Sequence, residues 1–449
     1  MRKIIGLFLS FIFTMSTVSA ESLTKTIKSL GINNSAISVS VKDTASKNSV
    51  FSLNERVPRQ PASTLKLVTS SAAVDMLGAD YTFKTSLYKS TNNDLYLKLS
   101  GDPLLTTSDL EKLIETAKSK NIAPKTFYVD ESIFDNVEWG EGWQWDDDMN
   151  PLMPKFSAYN INKNLIKIDV TPTGNNVAAK LTVKPFYPLT FMNLVVTDLT
   201  VPTNIKVEKN TTIAANMLNV SGSVSKISSV MLPVTSPKMN FVLRLEEAIR
   251  SKKFEYFAQV KNAKLPGNNV YHVDTIEHDF GTVLAPILKN SNNLAAESLF
   301  KYAGAVWNSS QGSLSNSLAM LDEYLKKVNL NSDDIKIVDG SGVSKNNLMT
   351  SDFMTDFLVY KASNEDFEGF KQYLPKPGEG TLKNRMLYFK DSLRAKTGTL
   401  SDTSAIAGYI TTRRGKVYAF DIMINDAKTS PADKKNIEEQ ILRNVYLNY

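Results

Sequence analysis

Three short stretches of the chain hold residue types that can do covalent chemistry together. Ser63 and Lys66 stand three apart in PASTLKLV, Ser291 and Asn293 two apart in SNNLAAE, and Lys396, Thr397 and Gly398 are consecutive in AKTGTL. Positions i and i+3 of a helix share a face, so a helix beginning at Ser63 places the Lys66 amine beside the Ser63 hydroxyl. The helix N-terminus adds partial positive charge where an alkoxide develops. Lysine accepts a proton only as the free amine, a form favoured by burial or by a neighbouring cation, and Lys396 is a candidate for that cation. An ammonium flanked by the hydroxyls of Thr397 and Thr399 suits a carboxylate, and Gly398 lets a strand backbone run close to a ligand. The chemistry these types describe is acyl transfer through a serine whose base is a lysine.

Spacing alone is a weak signal. Ser-x-x-Lys recurs at Ser22, Ser86, Ser223 and Ser298, and Ser-x-Asn at Ser46, Ser52, Ser90, Ser119 and Ser344, whereas Lys-Thr-Gly occurs once. Ser63 and Ser291 can also be read as helix caps. Composition narrows the choice. With no cysteine in 449 residues there is no thiolate nucleophile or thiolate metal site, and with only His272 and His278 a histidine-rich metal centre is out of reach. No metal and no cofactor is expected, and the base is expected not to be histidine.

The elements that must position these residues follow from periodicity. AISVSVKD and SKNSVFSLN, within Ile37 to Phe51, read as a strand, a turn and a strand leading into the first stretch. From Ser63 to Leu77 the residues Leu65, Val68, Ala72, Ala73, Met76 and Leu77 recur at helical spacing, with Pro61 before and Gly78 after as start and stop. From about Tyr81 to Glu277 the pattern turns to strands, among them DLYLKLSG, KLTVKPF, NLVVTDLTV, TNIKVEKN and MLNVSGSV, with one helix near Ser108–Lys118 and the loop EWGEGWQWDDDMNP. Helical patterning returns from about Phe280 to Trp307 and from Ser313 to Val328, followed by the apolar stretch IKIVD. The chain closes on the strands SAIAGYITT and VYAFDIMIND and a helix from about Pro431 to Leu447, whose Ile437, Ile441, Leu442 and Val445 form one apolar face. That face suits core packing beside strands better than a membrane surface.

Residues 1–20 set Arg2 and Lys3 before an apolar run from Ile4 to Phe13 and end on Val18-Ser19-Ala20, the layout of a cleaved secretory signal. The run is too short to span a membrane comfortably, and no later segment offers about 18 consecutive apolar residues. The expected product is an exported chain without a transmembrane segment. The formal net charge of +6 falls to +4 once Arg2 and Lys3 leave, and the remaining Lys and Arg are scattered, so attraction to anionic envelope polymers is expected and a nucleic-acid partner is not.

With these motifs in place the chain resembles the low-molecular-mass class C penicillin-binding proteins, the D-alanyl-D-alanine carboxypeptidase/endopeptidase family of the penicillin-binding protein 4 type. The trio of motifs in this order is shared with class A β-lactamases. Further blocks carry the likeness to this family: LKLSGDPLL (Leu97–Leu105), YVDESIFD (Tyr128–Asp135), Gly142–Asn160, DGSGVSKNNL (Asp339–Leu348) and GTLKNR (Gly380–Arg385). The resemblance implies an α/β multi-domain fold: a penicillin-binding/β-lactamase-like transpeptidase domain, an antiparallel sheet with flanking helices, in two segments (21–80 and 278–449). Between them it implies a β-rich insertion (81–277) of two domains, the inner one at about 101–185. It implies Ser63 as the acylated nucleophile, Lys66 as its base, Ser291 as proton relay and Asn293 as the group that holds the substrate amide. Lys396, Thr397, Gly398 and Thr399 would bind the terminal carboxylate, and the N–H groups of Ser63 and Thr399 would take the oxyanion.

The same resemblance implies a pocket for a diaminopimelate side chain built from an acidic residue, matched to Asp148, and an arginine, where this chain has Lys345. Lysine keeps the charge and loses the bidentate fork. The implied activity is that of a serine-type D-Ala-D-Ala carboxypeptidase or D,D-endopeptidase on peptidoglycan stem peptides in the periplasm, with β-lactams as covalent inhibitors. A β-lactamase, or a non-catalytic penicillin- or wall-binding protein on the same scaffold, remains as alternative. Oligomeric state is left open.

Overall fold

The computed structural model describes residues 19–210, 217–254 and 260–449. The expected leader lies on residues 1–20, of which 1–18 fall outside the described residues. Two compact units emerge among the described residues, one within 19–81, 140–143 and 279–449, the other within 82–139 and 144–278.

The first unit opens with helix α1 (residues 19–29) and the hairpin β1 (Ile37–Asp43) and β2 (Ser49–Leu53). Every residue of β1 is buried, because it lies inside a five-stranded antiparallel sheet with helices on both faces. Its alternation therefore separates two buried environments. Val39 and Val41 join the apolar core, while Ser40 on the other face bonds Thr355 Oγ1 at 2.7 Å. The helix read from Ser63 starts instead as a 3-10 turn, Ala62–Leu65, and becomes α-helical at α2 (Lys66–Leu77). Residues Lys66 to Ala73 of α2 are all buried, and its hydroxyls turn back to carbonyls, Thr69 Oγ1 to Gly340 O at 2.7 Å and Ser70 Oγ to Lys66 O. Small residues with locally satisfied hydroxyls let this helix sit in the middle of the unit.

The second unit carries β3 (Thr82–Ser90), β4 (Leu95–Lys98), α3 (Thr107–Ser119), β5 (Phe127–Asp130), β6 (Leu165–Thr171), β7 (Lys180–Lys184), β8 (Thr190–Thr197), β9 (Asn204–Lys209), β10 (Met217–Val224), β11 (Ser228–Pro233), α4 (Pro237–Ser251), β12 (Val260–Asn262) and β13 (Val270–Asp279). One five-stranded sheet runs β12-β5-β4-β3-β13, and two three-stranded sheets run β8-β10-β9 and β11-β6-β7. The inner piece placed at about 101–185 is drawn differently by this pairing. Strands β4 and β5 belong to the outer sheet with β12 and β13, and the inner sheets span β6 to β11 around Ile168, Val170 and Val220.

The chain then completes the first unit with α5 (Phe280–Asn290), α6 (Asn293–Trp307), α7 (Leu314–Lys327), the two-residue strands β14 (Ile335–Lys336) and β15 (Leu348–Met349), α8 (Ser351–Ala362), α9 (Phe367–Gln372), β16 (Leu393–Thr399), β17 (Thr403–Thr411), β18 (Val417–Asn425) and α10 (Pro431–Asn448). The sheet order is β16-β17-β18-β1-β2, which leaves β16, the strand of the Lys-Thr-Gly motif, at an edge. Ile437, Ile441, Leu442 and Val445 of α10 pack on one face of this sheet against Ile406, Phe420 and Ile422, as core packing requires. On the other face α8 lies over β18 and β1, and α2 packs against α5, α6 and α7. Among the described residues no helix is long and apolar enough to cross a membrane.

Candidate active site

All three motifs meet within the first unit. Ser63 sits in the 3-10 turn, preceded by Ala62 in the left-handed region at φ +47, an uncommon conformation for a residue with a Cβ. Two close backbone approaches hold this turn. Gly342, at φ +77, passes so near that a Cβ there would lie 2.0 Å from Ala62 O, and a Cβ on Gly398 would lie 2.8 Å from Pro61 O and 2.9 Å from Ser63 N. At Gly398 the absence of a Cβ lets the edge strand sit against the turn that carries Ser63.

Ser291 is not the first residue of a helix. The apolar pattern from Phe280 to Trp307 is broken into α5 and α6, and Ser291 occupies the break in the left-handed conformation at φ +60, with Asn292 capping α6 through its side chain. This strained corner turns the Ser291 hydroxyl to within 2.8 Å of Lys396 Nζ, and Lys396 also reaches Thr397 O at 2.7 Å. Thr397 Oγ1 bonds Thr381 Oγ1 at 2.8 Å. Asn293, in the first turn of α6, faces the other lysine.

Lys66 Nζ has three partners: Ser63 Oγ at 2.8 Å, Asn293 Oδ1 at 2.7 Å and Ser341 O at 2.5 Å. An amide oxygen and a backbone carbonyl only accept hydrogen bonds, while a serine hydroxyl also donates. A neutral amine has two N–H bonds and one lone pair. With both N–H groups taken by the two pure acceptors, the lone pair points at the Ser63 O–H. The amine is fully buried, and burial brings its pKa down to about 7, against the opposing pull of Asp339 and Glu297. Burial, rather than the Lys396 cation, is thus the main cause. Lys396 is itself pushed well below the ordinary lysine value, first by burial and then by Lys66.

The acceptor at Ser341 depends on residues that the motif spacing did not single out. Asp339 accepts from Gly342 N and Ser344 N at 2.7 Å each, from Asn347 Nδ2 at 2.9 Å and from Trp143 Nε1 at 2.9 Å. Glu297 accepts from Gly340 N at 3.0 Å and Ser341 N at 2.8 Å. Burial first, then Asp339, raises the Glu297 carboxyl to about 7. A signal existed in the sequence: a lone charge, Glu297, in the apolar run NLAAESLF, and an aspartate opening the Gly-rich DGSG.

Asp148 and Lys345 each have a partner within their own unit. Asp148 pairs with Lys209 of β9, and Lys345 bonds Ser401 Oγ at 2.8 Å and Asp402 Oδ2 at 3.3 Å. His272 and His278 both lie on β13 of the second unit, where His278 bonds Asp102 at 2.6 Å.

The sequence pattern of the D-Ala-D-Ala carboxypeptidase 3 (S13) family matches residues 19–445. The chain belongs to that family. This S13 member is 27% identical over 424 residues to a D-alanyl-D-alanine carboxypeptidase of Actinomadura sp. (strain R39), covering 88% of this chain and 78% of that one. It is 25% identical over 411 residues to the D-alanyl-D-alanine carboxypeptidase DacB of Haemophilus influenzae, covering 86% and 85%. Its fold is similar to that of the crystal structure of penicillin-binding protein 4 (dacB) from Haemophilus influenzae, with a TM-score of 0.80 at 23% identity over 92% of this chain and 96% of that one. The protein is a serine-type D-Ala-D-Ala carboxypeptidase, a hydrolase of the low-molecular-mass class C penicillin-binding group. The alternatives of a β-lactamase or a non-catalytic binding protein gain no support from these relatives.

Proposed function

We propose that Ser63 is the nucleophile of a D,D-peptidase acting on peptidoglycan stem peptides and that Lys66, as a free amine, is its base. The observation that carries this reading is the partner set of Lys66, which, with the amine neutral, satisfies its two N–H groups on Asn293 and Ser341 and leaves its lone pair for the Ser63 hydroxyl. Ser63 gives its proton to Lys66 as Oγ adds to the carbonyl of the penultimate D-alanine. The oxyanion is taken by the N–H groups of Ser63 and Thr399. The C–N bond then breaks, and the departing amine of the terminal D-alanine takes a proton from Ser291, which is replenished from the lysines. Water adds to the acyl carbonyl, the C–O bond to Ser63 breaks, and Ser63 regains a proton. Lys396, Thr397 and Thr399 hold the terminal carboxylate: burial disfavours a lone ammonium at Lys396, and an arriving carboxylate reverses that by pairing with it.

Cleavage of a D,D-crosslink uses the same steps with a different leaving amine, so both activities fit this site. β-Lactams acylate Ser63 and leave slowly. Export to the periplasm fits the leader-like N-terminal pattern and the substrate. Asp148 and Lys345 are proposed as substrate-side groups, with Lys345 drawn from Asp402 toward a side-chain carboxylate.

The test is to incubate the protein with disaccharide pentapeptide and with crosslinked muropeptide dimers and read the products by mass, with Ser63→Ala as control. Release of one D-alanine or of monomers, abolished by Ser63→Ala, is expected. Turnover that survives Ser63→Ala sinks the assignment.

A further inference from the structure

The neutral Lys66 amine can turn its lone pair to Ser63 only while both of its N–H groups are held elsewhere, by Asn293 Oδ1 at 2.7 Å and Ser341 O at 2.5 Å. Asn293 is fixed on α6, whereas Ser341 lies in the 339–347 loop between two glycines. The peptide that carries the Ser341 carbonyl ends in the N–H of Gly342, and that N–H donates to Asp339 Oδ1 at 2.7 Å. A trans peptide is a rigid plane whose C=O and N–H point opposite ways, so a carboxylate on one side aims the carbonyl on the other. A charged acceptor on the N–H also polarises the peptide and strengthens its carbonyl as an acceptor. Glu297 has no such line to Lys66, because it accepts from Gly340 N and Ser341 N, whose peptides carry the carbonyls of Asp339 and Gly340.

Asp339 is itself held firmly in direction. It is buried, and its two oxygens take four donors, Gly342 N and Asn347 Nδ2 on Oδ1, Ser344 N and Trp143 Nε1 on Oδ2. Four donors fill the acceptor sites of a carboxylate and fix its rotation as well as its place. Asn347 is anchored in turn, accepting from Val338 N at 2.8 Å and donating to Ser344 O at 2.9 Å.

We propose that Asp339 is a positioning residue for Lys66: through the Ser341–Gly342 peptide it fixes the carbonyl that binds the amine, and so decides whether the lone pair or an N–H of Lys66 faces Ser63. This rests on the reading of Lys66 as base. With the carbonyl in place both N–H groups are occupied and the lone pair meets the Ser63 O–H. With the carbonyl turned away, the released N–H swings to Ser63 Oγ, 2.8 Å from Nζ, and the lysine donates to the hydroxyl it should deprotonate. The reversal leaves Lys396 and Thr397 on β16 where they are, so it slows the acylation step and spares binding.

The test is a double-mutant cycle on acylation by a fluorescent penicillin, with wild type, Asp339→Asn, Lys66→Met and the double variant, thermal melts to show folding, and kinetics resolved into binding of the penicillin and the first-order acylation step. Asp339→Asn keeps the size but puts an NH2 group in front of donors. It is expected to slow the acylation step about 10- to 100-fold with binding unchanged. In the Lys66→Met background the same substitution is expected to change nothing further, because its effect passes through the missing amine. An equal loss in both backgrounds shows that Asp339 shapes the Ser63 turn instead and overturns the proposal, as does a loss confined to binding or no loss at all. If Asp339→Asn does not fold, Trp143→Phe decides by the same cycle, since it removes one donor to Asp339. A loss of about threefold to tenfold present only with Lys66 supports the proposal, and any other pattern overturns it. Failure of the underlying reading looks different, since Lys66→Met alone then acylates at the wild-type rate, and it takes the proposal with it.

Discussion

Replacing Gly342 with alanine tests how tightly the Ser63 turn and the Lys66 acceptor are locked. A Cβ at position 342 lies 2.0 Å from Ala62 O, 2.7 Å from Ala62 C and 3.1 Å from Leu65 Cβ, and ordinary contact begins at 3.4 Å. The backbone carbonyl has no rotamer to swing away, so the 339–344 loop and the 61–65 turn must separate by about 1 Å or more. The left-handed φ of +77 adds about 1–2 kcal/mol for a residue with a Cβ, and the overpacking about 1–3 kcal/mol. At roughly 2–4 °C per kcal/mol for a unit of this size, the melting temperature falls by about 10 °C.

The kinetic effect is larger than the thermal one. Ala62 precedes Ser63, and Ser341, whose carbonyl holds Lys66, precedes Gly342, so the displacement separates the proposed nucleophile from its proposed base. An error of about 1 Å in such a site costs on the order of 100-fold. The assay is stopped-flow acylation by a fluorescent penicillin at a temperature where the variant is fully folded. Gly78→Ala is the control: its φ is +97 and a Cβ there meets nothing within 4 Å, so it pays the backbone strain without the clash. Acylation of Gly342→Ala within about threefold of Gly78→Ala refutes the reasoning.

Wild-type acylation is expected to rise with pH through about 7, because only the free Lys66 amine can take the Ser63 proton; a rate flat from pH 5 to 9 contradicts this. Lys66→Met removes the proposed base and is expected to slow acylation by about 100- to 10,000-fold with little change in melting temperature, measured by intact-protein mass against time. Asn293→Ala strips one acceptor from Lys66 and is expected to slow acylation by about tenfold or more, with a folded protein by circular dichroism. Asp421 is fully buried, neither of its oxygens has a hydrogen-bond partner among the described residues, and burial followed by Glu438 raises its pKa well above the usual 3.8. A carboxyl raised in the folded state contributes stability below its unfolded pKa that is lost as pH climbs through the folded one. Asp421→Asn is therefore expected to melt higher than wild type at pH 8 and level with it below pH 3.8; a gap constant with pH by calorimetry counts against this.

The chemistry was legible where it is local and the scaffold where it is periodic. Ser63 and Lys66 needed only one turn of chain to meet, and α10 carried its apolar face openly. A helix start near Ser291 and Asn293 could be read from SNNLAAE, but the left-handed turn at Ser291 could not, because such a serine leaves no compositional trace. The pairing of β4 and β5 with a sheet that includes β12 and β13, far along the chain, could not be read from the sequence, because periodicity says nothing of such partners. Glu297 escaped the motif spacing because its value lies in two backbone amides of a distant loop, and a single glutamate on a helix ordinarily faces water.

Residues 140–143 belong to the first unit, while the chain on either side of them belongs to the second. Through this excursion Trp143 reaches Asp339. Splicing residue 81 to residue 279 would therefore remove more than the β-rich insertion: the same cut takes away the Trp143 indole and leaves Asp339 with Gly342 N, Ser344 N and Asn347 Nδ2 as its donors.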